Sequence, residues 1–287
     1  MPQPENLFRD ATPDTTQKPE RRWIHLVLFA ATLVTTTWTG FILGGTWYLA
    51  LSFSLALMSI LLIHEMGHFL ASKKHGIPST LPYFIPAPPY PIGTFGAIIR
   101  MKGAIWDRRA LLDIGVSGPV AGFAVALPVL VAGVFLSEVV PIDDTVMGLH
   151  MGNSLLMYLI EKMVIGNVPP GMELVIHPLG FAGWIGMFVT SLNLLPVSQL
   201  DGGHIAKAMF PDSFDTIARV VHISLLFMGV FFWPGWLFWA IILFFIGVRH
   251  PPVLLPHISL DGRRRKVGYF TLAIFILTFV PTPIKLI

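Results

Sequence analysis

TWYLALSFSLALMSILLIHEMGHFLAS, residues 46–72, is an apolar run that ends in two histidines and a glutamate. About 20 apolar residues, each rising about 1.5 Å in a helix, cross the hydrocarbon core of a bilayer. Ionisable side chains at the end of such a run are costly unless they are paired, bound to a metal or facing water. The run therefore reads both as a transmembrane helix and as part of a site. His64 and His68 stand i and i+4 on one helical face, about 6 Å apart, so both imidazoles can reach one ion. Glu65 lies roughly 100° around the helix, close enough to face a metal-bound water without being a ligand. Such a water has its pKa lowered to about 7, and a neighbouring carboxylate can take its proton.

The rest of the chain agrees with a membrane setting. Of its 287 residues, 54% are hydrophobic and 12% charged, with a mean hydropathy of +0.71. Soluble domains carry about 25% charged residues. The net charge of +3 belongs to bases flanking hydrophobic segments, which points to membrane topology and away from nucleic acid. There is no cysteine, so a zinc ion would have to be held by His, Asp or Glu. The expected fold is an all-α polytopic membrane protein with about six to seven transmembrane helices. Candidate spans are Ile24–Gly44, Thr46–Ser72, Arg109–Leu136, His177–Pro196, Ile217–Trp233, Trp236–Val248 and Val267–Val280, the last two short. Residues 1–22, polar and proline-containing, read as a flexible cytoplasmic arm. Residues 23–287 read as one membrane-embedded domain with its core at 46–210.

Loop charge sets the orientation. Lys73, Lys74, Arg100, Lys102, Arg108 and Arg109 crowd 73–109, whereas 137–176 carries Lys162 against Glu138, Asp143, Asp144, Glu161 and Glu173. The excess of bases places 73–109 and the N-terminus in the cytoplasm. Within that loop Pro78, Pro82, Pro86, Pro88, Pro89 and Pro91 exclude a helix. The alternation across Gly93–Lys102, with a bend at Gly96, predicts a strand. A short β-containing cytoplasmic loop is thus expected between the second and third spans. Asn153–Ile165 is expected as a short helix on the outer surface.

A second polar cluster, NLLPVSQLDGGH at 193–204, closes the fourth apolar run. Pro196 interrupts the helix there, and Gly202–Gly203 allow tight backbone turns. The cluster lies at the same depth, on the same side, as His64 and His68. It supplies a third ligand: Asp201 is favoured, His204 is the alternative, and Asp201 also fits an N-cap. Asn193 can donate to a substrate carbonyl or oxyanion, or equally to a neighbouring helix. Asp113 reads either as a support to the metal site or as an ion pair with Arg109. Gly115, Gly118 and Gly122, like Gly180, Gly183 and Gly186, read as helix-packing positions. Two functions fit the clusters: an endopeptidase, or a metal-ion transporter with ligands along a path.

His64-Glu65-x-Gly67-His68 with Ala71 and Gly76, followed by Asn193-x-x-Pro196-x-x-x-Leu200-Asp201-Gly202-Gly203, resembles the site-2 protease family of intramembrane zinc metalloproteases, peptidase family M50. Gly93–Ala97, Gly118–Gly122 and the stretch 177–204 look most like its branch without a PDZ domain, shared by prokaryotes and the plastid EGY proteins. The resemblance covers about residues 46–250. It implies that His64, His68 and Asp201 bind one zinc ion per chain, that Glu65 is the general base, and that Asn193 holds substrate or transition state. It also implies strands near the site to which an unwound substrate could add. The implied substrates are transmembrane proteins, single-pass ones above all, taken from the lipid bilayer. The expected setting is a prokaryotic plasma (inner) membrane, with the active site toward the cytoplasm on the loop charges.

Overall fold

The computed structural model describes residues 21–142, 149–247, 253–255 and 257–286. Residues 1–20 of the expected arm, together with Asp143, Asp144, Val248 and His250, lie outside the described residues.

Among the described residues four helices are long and apolar enough to cross a membrane: α1 (Arg22–Gly44), α2 (Trp47–Lys74), α3 (Arg108–Phe135) and, later in the chain, Phe214–Phe231. Gly45, at φ 69°, ends α1 in the left-handed region, with its N–H donating to the Phe41 carbonyl. α2 starts two residues later, so the two helices return side by side. Asp107 opens α3 by accepting from the Ala110 N–H.

Between α2 and α3 the proline-rich segment forms a hairpin, β1 (Tyr83–Pro86) against β2 (Thr94–Ile98). The strand is shorter than the expected Gly93–Lys102: Gly93, at φ 81°, stands just before it, and Gly96, at φ 96°, bends it from within. The ladder is continued past β2 by Ser79 opposite Met101.

Beyond α3 the chain makes β3 (Glu138–Pro141), β4 (Leu149–Met151), the short helix α4 (Leu155–Val164) and β5 (Met172–Val175). β3 pairs with β5, and β4 pairs with the C-terminal β6 (Ile284–Leu286).

The fourth apolar run is where expectation and structure differ most. It yields α5 (Pro178–Asn193), 16 residues long and about 24 Å by helical rise. The residue before a proline is pushed out of helical geometry, so the helix closes ahead of Pro196. After a turn come α6 (Asp201–Met209), α7 (Phe214–Phe231), α8 (Gly235–Ile246) and α9 (Gly262–Thr278). α7 and α8 pack on each other as the expected hairpin.

α3 is the central element, packed against α2, α5 and α6. Its contact with α5 is backbone to backbone: a Cβ on Gly183 would stand 2.6 Å from the Leu130 Cα. Around it Phe53, Leu57, Ile60, Leu130 and Ile185 are fully buried. The polar clusters are thereby held on helices that cannot slide apart without opening an apolar core.

Candidate metal centre

α2 presents His64, Glu65 and His68 inside the fold, each less than a tenth exposed. Asp201, the first residue of α6, faces them from the other side. His64 Nε2 and His68 Nε2 are 3.2 Å apart. Asp201 Oδ2 lies 3.3 Å from the first and 3.2 Å from the second.

The tautomer of His68 follows from its other nitrogen. Nδ1 lies 2.8 Å from the Ile114 carbonyl, which can only accept, so Nδ1 carries the proton and donates it. In the neutral ring Nε2 is then a bare lone pair, the form in which a histidine binds metal. Three potential ligand atoms thus converge on one point. Four-coordinate zinc, with bonds of about 2.0–2.1 Å, spaces its ligand atoms about 3.3–3.5 Å apart. The three separations are those of one face of such a tetrahedron. His64, His68 and Asp201 could hold a metal ion, and they are the one group of three with this convergence among the described residues.

His204 does not join them. It lines the same cavity, but its Cβ packs beside Gly115 one turn along α6. Nor does Asp201 cap a helix: the N-cap is Leu200, and no side chain caps there. The turn before α6 contains Ser198, buried and at φ 58°. Gly202 and Gly203, read from the sequence as allowing tight backbone turns, are both helical. A Cβ on Gly202 would stand 2.0 Å from the Leu194 carbonyl oxygen. The glycines let α6 sit directly on the turn, and that seat aims the Asp201 carboxylate.

A cavity of about 210 Å³ opens beside the three donors, lined also by Glu65, Asn193, Ile99, Met101 and Gln199. Asn193 ends α5 with Nδ2 3.3 Å from His64 Nε2. The Ile99 backbone N–H, just past β2, faces the Glu65 carboxylate. The hairpin therefore roofs the cavity over the glutamate.

Two features carry a meaning that sequence reading missed. Gly118, read as a packing position, lies directly behind His68: a Cβ there would be 2.0 Å from Nε2. A Cβ on Gly122 would likewise stand 3.0 Å from His64 Nδ1. The small residues of α3 make the wall against which the imidazoles rest. The offset of four residues between Gly118 and Gly122, matching that of the two histidines, is the signal that could have shown it. Asp113 is the second. It does not pair with Arg109, whose Nε donates instead to the Ser259 carbonyl. It accepts from His75 Nε2 at 2.9 Å and from Arg264 through Nε at 2.9 Å and Nη2 at 2.7 Å. That cluster borders a separate cleft between α2, α3 and α9.

Residues 52–234 match peptidase family M50, well over half of the chain. The chain is 39% identical over 165 residues to "Probable zinc metalloprotease EGY1, chloroplastic" of Arabidopsis thaliana, covering 56% of this chain and 30% of that protein. It is 32% identical over 239 residues to the protein of the same description from Oryza sativa subsp. japonica, covering 81% and 41%. With "Probable zinc metalloprotease EGY2, chloroplastic" of Arabidopsis thaliana the identity is 29% over 226 residues, covering 78% and 40%. The chain spans less than half the length of these curated relatives. No solved structure matches it. On the extent of the family match, the chain belongs to peptidase family M50, the site-2 protease family.

Proposed function

We propose that this protein is an intramembrane zinc endopeptidase that hydrolyses peptide bonds in or near transmembrane segments of membrane-protein substrates. The observation that carries the reading is the convergence of His64, His68 and Asp201 beside a cavity that also holds Glu65. These three residues are the proposed ligands of one zinc ion. When bound, zinc would supply a Lewis acid that polarises a carbonyl and acidifies a water.

The protein's own groups do the rest. Glu65 accepts the proton of the attacking water and returns it to the leaving amine, so one carboxylate serves as base and then acid. Asn193 offers its amide N–H to the substrate carbonyl as charge builds on the oxygen. Once the His64 Nε2 lone pair is given to a metal, that N–H is free to turn to the cavity. The β2 edge offers main-chain groups to a substrate unwound from its helix, as in strand addition. Unwinding is needed because a helix shields its own peptide bonds.

The depth of the site supports the intramembrane setting. His64 stands ten residues before Lys74, about 15 Å along α2. In the proposed topology α5, α8 and α9 also cross, as short or tilted elements, for six to seven spans. Residues 1–22 form a cytoplasmic arm on a single domain, 23–287, with its core at 46–210. The basic loop 73–109 supports an N-terminus and active site on the cytoplasmic side, and the membrane we propose is a prokaryotic plasma (inner) membrane. The proposed substrates are single-pass proteins entering from the bilayer. The transporter reading has no support: among the described residues, converging ligands occur at one place and not along a path.

The test is Glu65→Gln in the purified protein reconstituted in liposomes with a single-pass substrate. Zinc should stay at one per chain while cleavage falls by at least about 10³-fold. Undiminished cleavage would overturn the mechanism.

A further inference from the structure

α1 carries five threonines, at 32, 35, 36, 37 and 39. A threonine in a membrane helix commonly donates back to the carbonyl four residues earlier. Thr32, Thr36 and Thr37 do so, at 2.8, 2.8 and 2.7 Å. Thr35 and Thr39 reach that carbonyl only at 3.2 and 3.1 Å. Thr35 Oγ lies 2.7 Å from the Gly93 carbonyl, against 3.1 and 3.2 Å for carbonyls of its own helix. Thr39 Oγ lies 2.5 Å from the Pro89 carbonyl, against 3.1 Å for that of Thr35. A hydroxyl has one proton, and in both cases the short contact leads to the β1–β2 hairpin.

A third donor lies further down α1. The His25 Nδ1–H donates to the Pro82 carbonyl at 3.1 Å, with its ring against Tyr83. The three accepting carbonyls belong to the foot of the hairpin, at 82, and to its tip, at 89 and 93. The tip meets α1 at Thr35 and Thr39, about 20–25 Å along from Arg22, a depth at which an unpartnered carbonyl is costly. α1 is itself tied to α2, because Thr36 Oγ and Ser54 Oγ are 2.7 Å apart. The hairpin is thus pinned to α1 along β1, and past β2 the Ile99 N–H meets Glu65 on α2.

We propose that Thr35, Thr39 and His25 are positioning residues: they set the register of β2 over Glu65, and so fix where an extended substrate meets the carboxylate. The proposal rests on the peptidase reading above. It assigns α1 a role in catalysis although none of the three residues touches the cavity described above.

The experiment compares Thr35→Val/Thr39→Val, which keeps shape and loses both donors, with Thr35→Ser/Thr39→Ser, which keeps them. Because the chain has no cysteine, spin labels can be placed cleanly at Phe95→Cys on β2 and Val34→Cys on α1, both exposed. The expected result for the valine pair is a broadened label distance and a roughly tenfold lower kcat/KM, chiefly through KM, with zinc still at one per chain. The serine pair should restore both. A valine pair with an unchanged distance and unchanged kcat/KM overturns the proposal. A broadened distance with unchanged kinetics overturns the positioning role while leaving the anchor. Failure of the unsubstituted protein to cleave refutes the peptidase reading, and the label distance still decides the anchor. If the double variant does not fold, Thr35→Val alone is read in the same two ways.

Discussion

His68 on α2 and His75 just past its end each meet an aspartate, and the two encounters end differently. Asp113 faces His75 and also Arg264, whose guanidinium grips both carboxylate oxygens. Its charge is balanced by a cation built into the chain. Asp201 faces two imidazoles, and no lysine or arginine lines the cavity around it. There a bound cation could supply the positive charge. The same residue types make a structural ion pair where the fold provides an arginine, and the proposed metal centre where it withholds one.

The largest effect expected from this contrast is at Asp201. Removing a group that merely supports a metal ligand costs about 10–100-fold in affinity, so Asp201→Asn should weaken zinc binding by more than about 100-fold. Zinc competition with a chromophoric chelator would measure it. Gly118→Ala comes next. The new methyl would collide with the His68 ring, and zinc affinity should fall by about 10–100-fold although no ligand has been changed.

Asp113→Asn should leave zinc untouched. It removes a half-exposed, bidentate ion pair, worth about 1–2 kcal/mol, and should lower Tm by roughly 2–6 °C. Loss of zinc in that variant would erase the distinction between the clusters. The smallest effect belongs to Asp261, which caps α9 by accepting from the Arg264 N–H and also pairs with the Arg264 guanidinium. Those bonds hold its carboxyl down at about 2, below the usual carboxylate value near 4. A depressed carboxylate contributes stability that is full above its unfolded pKa and lost as pH falls through the folded one. The Tm difference between the parent and Asp261→Ala should therefore be constant from pH 7 to about 4 and vanish near pH 2.

What could be read from the chain alone follows the range of the interactions. α1, α2, α3 and the α7–α8 hairpin are written in local hydropathy, and their ends fall within a few residues of expectation. His64, Glu65 and His68 are legible because helical spacing brings them together locally. The partnership with Asp201 crosses more than a hundred residues and was open between Asp201 and His204; geometry brings the first to the imidazoles. Asp113 reads from the sequence as either a support to the metal site or a pair with Arg109, and its partner Arg264 stays hidden because it lies 151 residues away. The shortness of α5 was hidden because hydropathy continues through Leu194 and Leu195 while helical geometry does not. Thr35 and Thr39 look like any threonines of a membrane helix until the hairpin is folded against them.

Zinc X-ray absorption of the purified, reconstituted protein, with metal counted per chain, tests the central claim most directly. One zinc with two imidazole nitrogens and carboxylate oxygen at about 2.0–2.1 Å, lost together in a His64→Ala/His68→Ala/Asp201→Ala protein, is the result this account requires. A protein that binds no zinc, or whose zinc signal survives that triple substitution, contradicts it.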